Sequence, residues 1–393
     1  MLGSASHFCS GVCICFASTA SVAVALFDWR KRELIWDLAV VGAGPAGSIC
    51  ACSVLAENNA NVALFDRETF PRDKSCGDAI HSDTFDVIEN LGLADIFNDR
   101  PLIEKIDFNF PHKFKYLEKL LDPYGGQFYI VERKTFDNSL YDAAVTRGAD
   151  DFTGCAVSDA TYDAANGLWT VSYTSATGRD TNLQTRVLVG ADGASSRVRK
   201  AAGLAFNGDK HLAVGIRAYA EVEGLKDSVL RIDYSDRFMP GYGWAFPITT
   251  NKYNIGVVLD QRDYKASRTK MEKHLQEYIE ALSKNGAKFH DVNNFRAYPL
   301  PLADNAIPLV PGKSIALIGD AAAMIDPFTG EGIQFGICAG YALGKAIAKG
   351  LQYKNLQKNL EDFVTRFKEK FSPVLYNSQQ LRTTLRYQRI MLS

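Results

Sequence analysis

Asp37-Leu38-Ala39-Val40-Val41 is a short apolar run, and Gly42-Ala43-Gly44-Pro45-Ala46-Gly47 follows it without a break. Ser48 to Glu57 reads as a helix with few charges, and Asn58 to Asn61 breaks it. Val62-Ala63-Leu64-Phe65 then forms a second buried strand that ends at Asp66. This order defines one βαβ unit. Gly42 permits a tight bend after the strand, Gly44 lets the backbone approach a pyrophosphate, and Gly47 lets the helix pack closely on the strand. A diphosphate at the helix N-terminus then meets unpaired N–H groups and the positive end of the helix dipole. Asp66 lies 24 positions after Gly42, near the spacing expected of a carboxylate that accepts from ribose hydroxyls. The unit predicts a dinucleotide site, with Arg67 beside Asp66 as a further cofactor contact.

Composition narrows what surrounds that site. A chain of 393 residues can hold two or three domains or one large composite unit. Its net charge of -1 offers no basic excess for nucleic acid. Six histidines without close pairs point away from a metal site. The eight cysteines contain no Cys-x-x-Cys pair and do not form the disulfide framework of a short secreted chain. Cys50 and Cys52 fall in the first helix and read as small core residues. Phe8 to Phe27 is uncharged and long enough to span a bilayer, with Asp28-Trp29-Arg30-Lys31-Arg32 behind it. It lacks the leading positive charge of a signal peptide and carries several Ser and Thr. It is compatible with a membrane attachment, a disordered extension or a mis-assigned start. The expected location is cytoplasmic, with peripheral membrane association through this stretch as a variant.

Further along, Ala156–Val189 and Ala213–Leu259 are β-rich, with Leu230, Ile232 and Tyr234 alternating with polar residues as in a half-buried strand. Thr249 to Asn254 suggests the turn of a hairpin. Ile315 to Ile318 is another short strand before a long helix that opens near Gly332. Leu356, Leu360, Phe363, Phe367 and Phe371 recur at helical spacing, and Pro373 is expected to close that helix.

Two more motifs repeat the strand–turn–helix pattern: Gly190-Ala191-Asp192-Gly193, continuing to Arg199, and Gly319-Asp320-Ala321-Ala322, followed by Asp326-Pro327-Phe328-Thr329-Gly330-Glu331-Gly332. With the Gly42 turn they resemble the flavoprotein superfamily of aromatic hydroxylases, flavin halogenases and geranylgeranyl reductases, over about Trp36 to Lys349. Two segments resemble the geranylgeranyl reductases in particular. Phe70-Pro71-Arg72-Asp73-Lys74-Ser75-Cys76-Gly77-Asp78 is similar to their Pro-x-x-Lys-x-Cys-Gly-Asp/Glu loop, and Tyr242-Gly243-Trp244-Ala245-Phe246-Pro247 to their Tyr-x-Trp-x-Phe-Pro strand.

The resemblance implies an α/β fold: a Rossmann-like FAD-binding domain of the glutathione-reductase type, an inserted antiparallel β-sheet that takes the substrate, and C-terminal helices. It divides the chain into an extension (1–35), FAD-binding parts (36–104, 131–210 and 301–349), substrate parts (105–130 and 211–300) and terminal helices (350–393). It implies FAD held by Gly42, Gly44, Pro45, Ala46, Gly47, Asp66, Arg67, Lys74, Cys76, Gly77, Arg133, Asp192, Gly193, Gly319, Asp320, Pro327, Gly330, Gly332 and Ile333. Asp320 would hold a ribityl hydroxyl, and the helix from Gly332 would direct its positive end at the flavin pyrimidine. Arg133 would touch the cofactor at the start of a helix ending near Gly148. Asp137 reads alternatively as a first-turn acid suited to the helix dipole. Tyr242, Trp244 and Phe246 would line an apolar channel. Cys76, Tyr242 and Trp244 are the candidate catalytic residues, and Arg72 and Lys74 would lower the Cys76 pKa if they are neighbours in space. The expected reaction is reduction of isoprenoid double bonds, with NADPH or another donor as the source of electrons, although no separate NAD(P)H domain is visible. The proton donor stays open between Cys76, Tyr242 and a water. An FAD monooxygenase and, with a poorer motif match, a halogenase are the alternatives. Oligomeric state is not legible.

Overall fold

Strand β1 (Ile35–Val41) is buried from Leu38 onward, and β2 (Val62–Asp66) is buried over its first four residues. Apolar runs of this kind suit parallel strands covered on both faces. The computed structural model describes residues 34–111, 114–115, 126–205, 208–303 and 306–392, with side chains to residue 387. In chain order the remaining strands are β3 (Ala79–His81), β4 (Ile106–Asn109), β5 (Phe128–Ile130), β6 (Ala149–Thr153), β7 (Ala156–Asp163), β8 (Leu168–Thr174), β9 (Asp180–Gly190), β10 (Leu212–Glu223), β11 (Leu230–Asp233), β12 (Tyr242–Thr249), β13 (Lys252–Asp260), β14 (Lys288–Pro301) and β15 (Ile315–Leu317). Five helices matter below: α1 (Pro45–Glu57), α2 (Arg133–Thr146), α3 (Met271–Lys284), α4 (Ile333–Tyr353) and α5 (Leu356–Leu392).

A seven-stranded sheet has the order β6-β2-β1-β9-β8-β7, with β15 also paired to β9. Strands β6, β2, β1, β9 and β15 run parallel, while β7 and β8 are antiparallel additions at the edge. The C-terminal ends of β1, β2, β9 and β15 therefore lie on one side of the sheet, where ligands bind in open α/β sheets.

The second sheet has six strands in the order β14-β10-β13-β12-β11-β4. It departs from the expected antiparallel sheet at one edge, where β11 and β4 pair in parallel. Its two faces follow the period of two along a strand. Ala245 packs with Met271, Leu275, Tyr278 and Leu282 of α3 on one side, while Tyr242 and Trp244 belong to a separate cluster on the other.

Helix α5 runs through Pro373 rather than ending there. A proline inside a helix costs about 3 kcal/mol through the lost N–H bond and the ring's clash with the preceding turn. Burial on both sides offsets this. Phe363, Phe367 and Phe371 enter the main core before it, and Leu385 enters the second cluster after it. Each buried side chain of this size contributes roughly 1.5–3 kcal/mol. Arg382 and Arg386 also donate to Asp260 at 2.8 and 2.7 Å, fixing the far half.

The expectation of a cytoplasmic protein, with membrane association through the N-terminal apolar segment as a variant, is corrected. Among the described residues no helix is long and apolar enough to cross a membrane, and Phe8–Phe27 lies outside them.

Candidate active site

A cavity of about 1620 Å³ opens between the strand ends of the first sheet and the Tyr242–Trp244–Phe246 face of the second. The Gly42 turn forms one end. Gly42 has φ 106°, and a Cβ there would lie 2.3 Å from the Ala191 carbonyl oxygen. A Cβ on Gly47 would lie 1.9 Å from the Gly42 carbonyl oxygen, so only hydrogen fits where α1 crosses the turn. Gly44 and Ala46 face the cavity, and no side chain caps the α1 N-terminus. The Asp66 carboxylate accepts from the N–H groups of Ala43 at 3.1 Å and Glu68 at 3.0 Å, which fixes it at the end of β2. The N-terminus of α4 at Gly332 is likewise without a side-chain cap and lies on the same wall. Two uncapped helix N-termini and a strand-end carboxylate around one cavity fit the donor and acceptor set that FAD requires.

Most of the expected cofactor residues line this cavity: Gly42, Gly44, Pro45, Ala46, Asp66, Arg67, Lys74, Cys76, Gly77, Arg133, Asp192, Gly193, Gly319, Asp320, Gly330, Gly332 and Ile333. Gly47 and Pro327 are not among the residues that line it. Asp320 pairs with Lys74 at 2.8 Å, and Lys74 also sits over the Tyr298 ring at 4.7 Å. The Asp192 carboxylate is engaged by its own turn: it accepts from the N–H groups of Arg197 at 2.6 Å and Val198 at 3.3 Å. It thus takes the first N–H groups of the short helix Arg197–Ala201, whose N-cap is Ser196, and shapes the turn that presents Gly193. Asp137 is not a free first-turn acid. It is fully buried, takes two 2.6 Å bonds from Arg133 and a third from Arg72.

The Cys76 expectation also changes. Lys74 is directed to Asp320 and Arg72 to Asp137, so neither stands as the thiol's charge partner. Burial pushes the Cys76 thiol above its usual value, and the opposing effect of Arg133 does not overcome it. Iodoacetamide at neutral pH should therefore label Cys76 more slowly than free cysteine. Faster labelling would contradict this reading.

Sequence reasoning missed the network behind the loop. Asn254 donates to the Cys76 carbonyl and to the Asp78 carboxylate, both at 2.7 Å, and accepts from the Trp244 indole N–H at 2.9 Å. Asp78, in a left-handed conformation with φ 63°, also accepts from the Tyr219 hydroxyl at 2.8 Å. Burial pushes its carboxyl up to about 6, against the lowering effects of Asn254, Tyr219, Arg217 and Arg133. The network ties the Cys76–Gly77 loop to the aromatic strand. A Cβ on Gly77 would touch the Phe246 ring at 3.0 Å. Strand β14 was also missed. It supplies Arg296, which pairs with Asp73 at 2.9 Å, and Tyr298. No clear period-two alternation follows Lys288, so the sequence offered little signal for it.

An FAD-binding α/β fold with a dinucleotide groove continuous with an aromatic chamber defines the class. The chain belongs to the FAD binding domain family, which matches residues 36–368. It is an FAD-dependent oxidoreductase. Among curated relatives it is 27% identical over 368 residues to conditioned medium factor receptor 1 of Dictyostelium discoideum, covering 86% of this chain and 69% of that protein. It is 29% identical over 369 residues to digeranylgeranylglycerophospholipid reductase of Methanocaldococcus jannaschii, covering 92% and 88%. Two solved structures share the fold. A geranylgeranyl bacteriochlorophyll reductase-like protein of Thermoplasma acidophilum superposes with TM-score 0.73 at 16% identity, covering 90% of this chain and 88% of that one. A myxobacterial chondrochloren halogenase superposes with TM-score 0.70 at 23% identity, covering 87% and 81%.

Proposed function

We propose that the protein reduces carbon–carbon double bonds of an isoprenoid chain on a lipid-like substrate. The observation that carries this is the continuity of the dinucleotide groove with a chamber walled by Tyr242, Trp244 and Phe246. The relationship to a digeranylgeranylglycerophospholipid reductase over nearly the whole chain supports it. The Gly42 turn, Asp66 and the N-terminus of α4 would hold FAD, which, once reduced by NADPH or another donor, would supply hydride for an alkene carbon. In this reading the seven-stranded sheet is a glutathione-reductase-type nucleotide domain and the six-stranded sheet takes the substrate.

The chain's own groups meet two demands of the reaction. An isolated alkene develops positive charge in the transition state, so water must be kept away and the face of the chain held still. Trp244 does this as a fixed wall, its indole N–H held by Asn254. Phe246 and the Gly77 backbone close the gap between wall and loop. Tyr242 donates its hydroxyl to the Thr329 carbonyl, which places it in the wall and leaves its ring to the substrate. The uncapped N-terminus of α4 favours negative charge on the cofactor after it is reduced.

An oxygenase reading of the same fold makes the opposite prediction about oxygen. FAD-loaded protein given NADPH, a geranylgeranyl lipid and heavy-isotope oxygen should form no product that carries the label. Labelled product would favour the monooxygenase. Cys76→Ala tests the loop separately: alkene reduction should fall, and unchanged turnover would remove the thiol from the account.

A further inference from the structure

The proposed reduction needs a proton for the second alkene carbon, and the structure narrows its source. Among the described residues six carboxyl groups line the cavity. Asp66 accepts two backbone N–H groups, and Asp192 takes the first N–H groups of a helix. Asp73 is paired with Arg217 and Arg296, Asp320 with Lys74, and Glu68 with Arg67. Glu331 alone among the six makes no side-chain hydrogen bond or ion pair with a described residue. It is partly buried and stands between Gly330, whose Cβ position lies 2.8 Å from the Tyr242 hydroxyl, and Gly332, where α4 begins. That places it where the cofactor groove joins the aromatic chamber.

We propose that Glu331 is the general acid of the reaction, a reading that rests on the proposed alkene reduction. Hydride from the reduced flavin adds to one alkene carbon while the Glu331 carboxyl O–H gives its proton to the other. The flavin is oxidised by one electron pair, the alkene is reduced by it, and the carboxylate recovers a proton from water.

The surroundings keep this carboxyl in its acid form. Burial pushes it up to about 8, with Asp326 and then Asp83 adding like-charge repulsion. Among the described residues Tyr242 from β12 and Cys338 from α4 are its other titratable neighbours, and neither is a cation. Lys370 of α5 acts on Cys338. A neutral acid titrating near the working pH is suited to proton donation. The alternatives are less suited. Tyr242 has its hydroxyl proton directed at Thr329, and burial raises both it and Cys76.

The test uses FAD-loaded protein reduced with dithionite under anaerobic conditions, with a geranylgeranyl lipid and single-turnover detection by mass spectrometry. Glu331→Gln should slow alkene reduction roughly 100- to 10,000-fold while binding FAD as before, and Glu331→Asp should recover part of the rate. The wild-type rate should be level below about pH 8 and fall above it, because the protonated form is the donor; the glutamine variant should lose that dependence. Infrared difference spectra should show a protonated carboxyl that titrates near this pH and is missing in Glu331→Gln. A glutamine variant within a few-fold of wild type, or no such infrared band, overturns the assignment and leaves the reductase reading standing. Inactive wild-type protein would remove both.

Discussion

Asn254→Leu should destabilise the protein by roughly 2–5 kcal/mol and lower its activity as well. The change keeps the branched outline and the number of side-chain heavy atoms, and removes all the polar ones. It leaves the buried Trp244 N–H and the Cys76 carbonyl without their partner, and it takes one donor from the Asp78 carboxylate. Each buried group left unsatisfied costs about 1–3 kcal/mol, more when charged. Asp78 keeps the Tyr219 hydroxyl and a 3.3 Å bond from the Arg133 N–H, which bounds the loss. Urea unfolding of the FAD-loaded variant and wild type measures the difference. A loss below about 0.5 kcal/mol, within the usual range of surface substitutions, would mean that the loop is held by something else.

Gly47→Ala should mainly remove the flavin. The added methyl would stand 1.9 Å from the Gly42 carbonyl oxygen, and that atom is backbone, so the turn itself must move. Displacements of this kind cost about 1–3 kcal/mol. Placed on the bound state, that is roughly a 5- to 150-fold loss of FAD affinity. The bound-flavin absorbance per protein after gel filtration reads it. Gly312→Ala is a useful control, because its backbone is not left-handed, its Cβ position comes no nearer than 3.4 Å to the Ile315 side chain, and it does not line the cavity. Full flavin content in Gly47→Ala would show that the turn does not need the close approach.

What could be read from the chain follows how local the information was. The β1–α1–β2 unit was legible because turn, strand and acid lie within one short stretch, and Gly42, Gly47 and Asp66 stand in the arrangement that stretch implied. Tyr242, Trp244 and Phe246 were legible as one face because side chains in a strand alternate. The behaviour of Cys76 was not. Its neighbours in sequence, Arg72 and Lys74, turn to Asp137 and Asp320, and no rule of spacing gives the direction of a loop side chain. Asn254 and Tyr219 reach Asp78 from strands far along the chain, so their bonds exist only in the folded sheet. Strand β14 carries mostly exposed side chains, and an exposed strand has little apolar pattern to announce it. Pro373 misled because local propensity yields when both flanks of a helix are packed. Glu331 was visible within its motif, yet what distinguishes it is the lack of a partner, which only the surrounding groups can show.

The central claim is that reduced flavin in this cavity saturates an isoprenoid double bond. Protein loaded with FAD, reduced by dithionite without oxygen and mixed with a geranylgeranyl lipid, should yield lipid heavier by one pair of hydrogens for each bond reduced, with the flavin returned to its oxidised yellow form in step. Flavin that stays reduced beside unchanged lipid, across headgroups and chain lengths, would contradict it.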